Sequence, residues 1–222
     1  MNKKILIIAA HPDDEVLGCG GTIAKHLNDG DSINVAFLSD GVKSRNNTNS
    51  IDVEKRKLDS ISAGKILGSL EPPIFLNFPD NRMDSVDLLD IVQAIENIII
   101  SVDPVVIYTH HSGDLNIDHQ LTHKALLTAA RPLPDSNIKE IYTFEVQSST
   151  EWSPSAAFYP NYFVDISATL DKKLSAMKKY DSEIQDFPHP RSLESINALA
   201  KYRGSCVGLK AAEAFKVARL IY

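Results

Sequence analysis

Short apolar runs alternate with longer segments of helical spacing along this chain. Lys4 to Ala10 reads as a buried strand, and Glu15 to Leu27 as a helix stopped at Asn28-Asp29-Gly30. Ile33 to Leu38 is a second strand, ending at Ser39-Asp40-Gly41, and Asp52 to Leu67 is a helix stopped by Gly68. Ile74 to Phe78 and Val105 to Tyr108 are further strands, separated by helical spacing over Val86 to Ser101. His119 to Ala130 is a helix closed by Arg131-Pro132. Ile138 to Val146 and Tyr162 to Ile166 are the last strands; from Leu170 onward the pattern predicts mainly helix, broken at Pro188-His189-Pro190. No repeat, low-complexity segment or linker interrupts the alternation, so residues 1–222 read as a single domain. Strand–helix alternation predicts an α/β fold: one Rossmann-like domain with a mostly parallel sheet and helices on both faces.

That architecture gathers chemistry along one line. In a parallel sheet the carboxyl ends of the strands share an edge, and ligands bind there. His11 to Asp14, Ser39-Asp40, Pro79-Asp80 and the segment from His110 onward all follow strands. One imidazole and three carboxylates within His11-Pro12-Asp13-Asp14-Glu15 repel one another unless a cation or a network compensates. The segment Thr109-His110-His111-Ser112-Gly113-Asp114-Leu115-Asn116-Ile117-Asp118-His119 follows the fourth strand. Asn116 or Asp118 suits the N-cap of the next helix, which places His119 in its first turn. A His and an Asp from the first strand end plus one His from this segment give three protein ligands with a fourth position open, the layout of a hydrolytic zinc site.

Bulk properties narrow the alternatives. The chain has 222 residues, 43% hydrophobic and 23% charged, with a net charge of −6. This balance offers no basic patch for nucleic acid or an anionic membrane surface. Met1-Asn2-Lys3-Lys4 precedes an apolar run, but the run breaks at His11-Pro12 before a signal core is complete. No stretch approaches a membrane span. Two cysteines, Cys19 and Cys206, are too few for a disulfide framework and point to a reducing cytoplasm. A homo-oligomer is compatible with the sequence.

Ala10-His11-Pro12-Asp13-Asp14-Glu15 resembles the opening signature of the PIG-L/LmbE family of zinc-dependent de-N-acetylases, usually written A-H-P-D-D-E. The family's second signature, H-x-D-H, is similar to Asn116-Ile117-Asp118-His119. The resemblance implies that His11, Asp14 and His119 bind one metal ion, Zn2+ by default with Fe2+ an alternative, and that Asp13 is the general base for the attacking water. It also implies a substrate class, a small-molecule conjugate of an N-acetylated amino sugar. The chain departs from the family at Asn116, where a histidine is usual and is thought to help stabilise the oxyanion. An amide donates a hydrogen bond but carries no proton. Asn116 and Asp118 are therefore counted with Asp13 as catalytic candidates, Asp118 to orient a histidine or simply to cap the helix. His110 and His111 are candidates to supply an imidazole or to touch substrate. Arg56, on the second helix, is expected to orient Asp13 or bind sugar hydroxyls, unless it is a solvated charge.

Other positions read more plainly. His123 is expected to pack on its helix or to stand behind a metal ligand rather than bind metal itself, and Cys19 to be a small core residue. Gly18, Gly20 and Gly21 do not follow G-x-G-x-x-G and are expected to allow close helix–sheet packing. Pro188-His189-Pro190-Arg191 is either a lid or a turn between helices, and Glu213 either reaches the site or is exposed. Arg45 follows the second strand end. Two other readings compete with a deacetylase: a different metal-assisted amide or ester hydrolase on the same scaffold, and a non-catalytic carbohydrate-binding homologue.

Overall fold

The structure, a computed structural model, describes residues 2–44, 49–69, 71–154 and 156–222; Arg45 lies outside them. Its core is one seven-stranded sheet. The elements are β1 (Lys4–Ala9), α1 (Asp14–Asn28), β2 (Ser32–Ser39), α2 (Ser50–Leu67), β3 (Ile74–Phe78), α3 (Leu88–Val102), β4 (Val106–His110) and α4 (Ile117–Ala129). They continue with β5 (Glu140–Phe144), β6 (Tyr162–Asp165), α5 (Leu170–Met177), α6 (Leu193–Ser205) and β7 (Ala212–Leu220). The strand order is β3-β2-β1-β4-β5-β7-β6. Strands β1 to β5 pair in parallel; β7 runs antiparallel between β5 and β6.

Alternation within β1 shows why the sheet is buried on both faces. Ile5 and Ile7 pack with Val16, Leu67, Met177 and Ile196 beneath α1, α2, α5 and α6. Leu6 and Ile8 turn to the other face, among Ile91, Ile95, Ala125 and Leu126 of α3 and α4. A strand covered twice reads as a continuous apolar run, which is how β1 reads in the sequence. The order reverses between β1 and β4, so a crevice opens above their carboxyl ends.

The expected helical tail is corrected at its end. Ala212-Glu213-Ala214-Phe215 is buried within β7, and the strand then alternates between exposed and half-buried positions. Glu213 neither reaches the strand-edge site nor faces solvent. Helix α1 breaks at Cys19 (φ −148°, ψ 23°) and restarts. The Glu213 carboxylate accepts from the N–H groups of Gly21 and Thr22 at 2.9 and 2.7 Å. An anion at a helix start is favoured by the exposed N–H groups and the dipole. Lys173 Nζ completes the pair at 2.6 Å and also donates to Leu17 O at 2.8 Å. Glu213→Ala strands a buried ammonium and two N–H groups, and should cost about 3–5 kcal/mol in urea unfolding. A loss below about 1 kcal/mol would show that Lys173 reaches solvent unaided.

Two glycines bring α1 onto the sheet. A Cβ on Gly18 would lie 2.3 Å from the Phe144 ring, and one on Gly21 would lie 2.8 Å from Ile166. Cys19 is fully buried in the same core. This close approach fixes the first turn of α1, and with it Asp13 and Asp14, against the carboxyl end of β1.

Candidate metal and catalytic site

The loop after β1 delivers His11, Asp13 and Asp14, and the first turn of α4 delivers His119. Asn116 caps α4, its side-chain oxygen accepting from Asp118 N–H at 2.8 Å. His11 Nδ1, Asp14 Oδ2 and His119 Nε2 then form a nearly equilateral triangle. The separations are 3.3 Å (His11–Asp14), 3.3 Å (His119–Asp14) and 3.4 Å (His119–His11). A tetrahedral ion 2.0–2.1 Å from each ligand requires edges of about 3.3–3.4 Å. The triangle is therefore the face of a tetrahedron of zinc size. Asp14 Oδ1, buried and without a hydrogen-bond partner, adds to the fit.

The outer nitrogen of each ring lies within ion-pair distance of a carboxylate. His11 Nε2 lies 3.1 Å from Asp118 Oδ2 and 3.3 Å from Asp80 Oδ1. His119 Nδ1 lies 3.1 Å from Asp114 Oδ1. A carboxylate behind a ligating imidazole fixes its tautomer and leaves the facing nitrogen a lone pair. Asp118 thus orients His11, and Asp114 does for His119 what Asp118 was a candidate to do. Asp118 is itself held by the N–H groups of Asn81 and Met83 at 2.7 and 3.1 Å. Asp114 accepts the hydroxyls of Ser149 and, at 2.6 Å, Thr150. No lysine or arginine pairs with Asp14, Asp80, Asp114 or Asp118 among the described residues. In their place the histidines take the charge. Burial opposes protonation of His119, but Asp14 and Asp114 override it and lift its pKa to about 9. Burial likewise opposes charge on Asp80 and Asp114, yet His11 and His119 draw these carboxyls down to about 2. A buried cluster so short of fixed positive charge suits a divalent cation.

Residues 6–130 match the family model described as PIG-L, GlcNAc-PI de-N-acetylase. This chain belongs to the PIG-L family. Its relatives include YaiS of Escherichia coli (strain K12), named as an uncharacterized deacetylase. It is 33% identical over 186 residues, covering 81% of this chain and 91% of YaiS. A diacetylchitobiose deacetylase of Thermococcus kodakarensis is 26% identical over 237 residues, covering 96% of this chain and 82% of its own. The fold is also that of GalB, the 4-carboxy-2-hydroxymuconate hydratase of Pseudomonas putida KT2440. That structure has a TM-score of 0.76 at 24% identity, covering 97% of this chain and 96% of GalB.

The remaining candidates of this PIG-L chain stand around the triangle. Asp13 sits beside the triangle in a strained turn, with φ 125°. Its N–H donates to Glu15 Oε2 at 3.0 Å, and its Oδ2 lies 3.1 Å from Arg191 Nη1 and 3.9 Å from Arg56 Nη1. Burial raises its carboxyl, against the pull of Arg191 and Arg56, to about 6. Arg56 is no solvated charge. It donates to Pro12 O at 2.9 Å and pairs with Glu183, so it braces the turn that carries Asp13.

His110 and His111 are corrected. The His110 ring is fully buried, stacked on His119 with centroids 3.9 Å apart. Its Nε2 accepts the Ala10 N–H at 2.8 Å. Burial and the neighbouring His119 hold its pKa well below the usual range, so it supplies no imidazolium. His111 packs against Phe158. Neither ring lines the cavity beside the triangle. That cavity, of about 90 Å³, is walled by His11, Asp13, Asp80, Asn81, Asn116 and Arg191 among others. His123 packs as expected, its Nδ1 2.9 Å from His110 O.

Sequence reasoning assigned no role to Asp114, Glu183 or Arg191. Asp114 stands in the polar loop before His119, where an acid close to a candidate ligand was a usable signal. Glu183 carries no local signal, and Arg191 closes the Pro188-His189-Pro190-Arg191 segment that the sequence leaves open as a lid or a turn. The Pro188-His189-Pro190 segment forms a turn before α6, and from it Arg191 reaches back to Asp13.

Proposed function

We propose that this chain is a metal-dependent N-deacetylase that hydrolyses the acetamide of an N-acetylated amino-sugar conjugate. The observation that carries this reading is the His11–Asp14–His119 triangle of tetrahedral dimensions with Asp13 beside it at a polar cavity. The deacetylase relatives and the family description support the choice of amide and sugar. The two-nitrogen, one-oxygen donor set favours zinc, with iron(II) the nearest competitor. A divalent ion bound there would lower the pKa of a water to roughly 7 and polarise the amide carbonyl.

The protein's own groups do the rest. Asp118 and Asp114 keep protons on His11 Nε2 and His119 Nδ1, so Nδ1 of His11 and Nε2 of His119 stay lone pairs. Asp13 takes a proton from the attacking water and returns it to the amine nitrogen as the C–N bond breaks, giving acetate and a free amine. Asn116 is the neutral donor in the cavity wall. Its Nδ2 gives one hydrogen to Asn81 Oδ1 at 3.0 Å, which leaves a second for the acyl oxygen. Asn116→Ser keeps a good helix cap and removes only the amide. It should lower the turnover rate by about 10²–10³, the usual cost of one oxyanion donor, with little change in thermal midpoint. An unchanged rate would reduce Asn116 to a cap.

The test of the function is acetate and amine release by the zinc-loaded chain from N-acetylglucosamine, N,N′-diacetylchitobiose and alkyl glycosides of N-acetylglucosamine. Equal yields of both products are expected. Since the fold also serves a hydratase, addition of water to an unsaturated acid without acetate release would favour that second reading. A fully loaded protein that cleaves no member of the panel overturns the deacetylase. No helix among the described residues is long and apolar enough to cross a membrane.

A further inference from the structure

We propose that Arg191 is a substrate-contacting residue of this site and the residue that positions Asp13; the inference rests on the deacetylase reading. Arg191 precedes α6, far from either sequence signature. Its backbone N–H donates to His189 Nδ1 at 3.0 Å, which fixes the turn. Its side chain is pinned at two nitrogens. Nε donates to Ser148 Oγ at 2.6 Å. Nη1 donates to Glu183 Oε2 at 2.8 Å and to Asp13 Oδ2 at 3.1 Å. A planar guanidinium held at Nε and Nη1 has no freedom left, so Nη2 is aimed by the other two. Nη2 has no partner among the described residues, and Arg191 lines the cavity.

The other cavity groups do not offer this. The Arg56 side chain is 3% exposed against 22% for Arg191, and its Nη1 and Nη2 are engaged by Pro12 O, Ser182 and Glu183. Asn116 is neutral, and His110 is buried away from the cavity. Among the described residues of the cavity, Arg191 is therefore the arginine with a donor edge left for substrate. Among the described residues, Asp13 and Glu183 stand against Arg191 and Arg56 on this side of the cavity. On the deacetylase reading, the oxygen that Nη2 meets is a hydroxyl of the N-acetylated sugar. Through Nη1 the same side chain holds Asp13 Oδ2, so sugar and base are set by one rigid group.

The test uses the full zinc-loaded chain with Arg191→Met and Arg191→Lys. Kinetics are read on N,N′-diacetylchitobiose, and calorimetry measures N-acetylglucosamine binding. Arg191→Met should raise KM and weaken sugar binding by about 10- to 100-fold, the usual worth of a charged hydrogen bond, and should also lower kcat. Arg191→Lys returns a charge beside Asp13 but cannot span Ser148, Glu183 and the sugar. It should recover kcat and leave KM and binding impaired. A merely structural arginine would instead move zinc content and thermal midpoint and show no such split. Folded, zinc-loaded Arg191→Met with KM, kcat and binding all near native overturns the inference and leaves the deacetylase intact. If Arg191→Met does not fold, native KM and binding in Arg191→Lys overturns it. A native chain that neither cleaves nor binds any N-acetylated sugar overturns the functional reading and this inference with it.

Discussion

Asp13→Asn should load metal normally and turn over on the order of 10²–10⁴-fold more slowly than the native chain. The substitution is nearly isosteric. Asparagine is among the residues that best tolerate positive φ, so the backbone at φ 125° should survive it. The amide oxygen can still accept from Arg191, which preserves the wall of the cavity. What it cannot do is take the proton of the attacking water. Asp13 is not a corner of the His11–Asp14–His119 triangle, so metal content should stay near one ion per chain. The decisive comparison is acetate release per bound metal. Near-native turnover in the loaded variant would remove Asp13 as the base and leave it a bracing residue.

Zinc should stabilise the folded chain by about 4 kcal/mol when free zinc is 1,000 times its Kd. For a domain of this size that corresponds to a rise of roughly 8–16 °C in thermal midpoint. The cause is the buried acid cluster. In the metal-free chain, the side-chain positive charge within ion-pair distance of Asp14, Asp80, Asp114 and Asp118 among the described residues is that of protonated histidines, and the acids raise the pKa values of His11 and His119. A divalent cation inside the triangle meets that charge directly and displaces protons from the ring nitrogens that face it. Zinc affinity should therefore weaken as the pH falls, because protons compete for the same lone pairs, and binding in weakly buffered solution should acidify it. His119→Ala opens the triangle and should abolish both the midpoint shift and the proton release. A shift that persists in that variant would place the ion elsewhere.

Much of this protein is legible in its sequence, for definite physical reasons. A strand buried on both faces must be apolar without interruption, so β1 stands out, read to Ala10 and ending at Ala9. Polar residues placed just after such strands have little to do in a core, so His11, Asp13, Asp14 and the His119 segment announce a site. Glycine at positions 18 and 21 is required by Phe144 and Ile166, and no larger residue serves. Helix α4 begins after Asn116, one of the two caps the sequence offers, at Ile117 rather than His119. Each of these signals lies within a few residues of what it specifies.

What the tertiary structure alone decided lies between distant segments. Ala212 to Leu220 is rich in alanine, glutamate, lysine and arginine, which favour helix by intrinsic propensity. It is a strand because β5 and β6 leave a slot whose hydrogen bonds must be filled, and that pairing outweighs propensity. Glu213 reads as a stray acid until the break in α1 at Cys19 exposes the N–H groups it caps. The assignment of Asp118 to His11 and of Asp114 to His119 depends on how two loops cross, which spacing does not encode. Arg191 meets Asp13 across 178 residues of chain. A local pattern can name the ligands of a site, because they ride on the strand ends that build it. The groups that orient those ligands and wall the cavity come from wherever the fold happens to return.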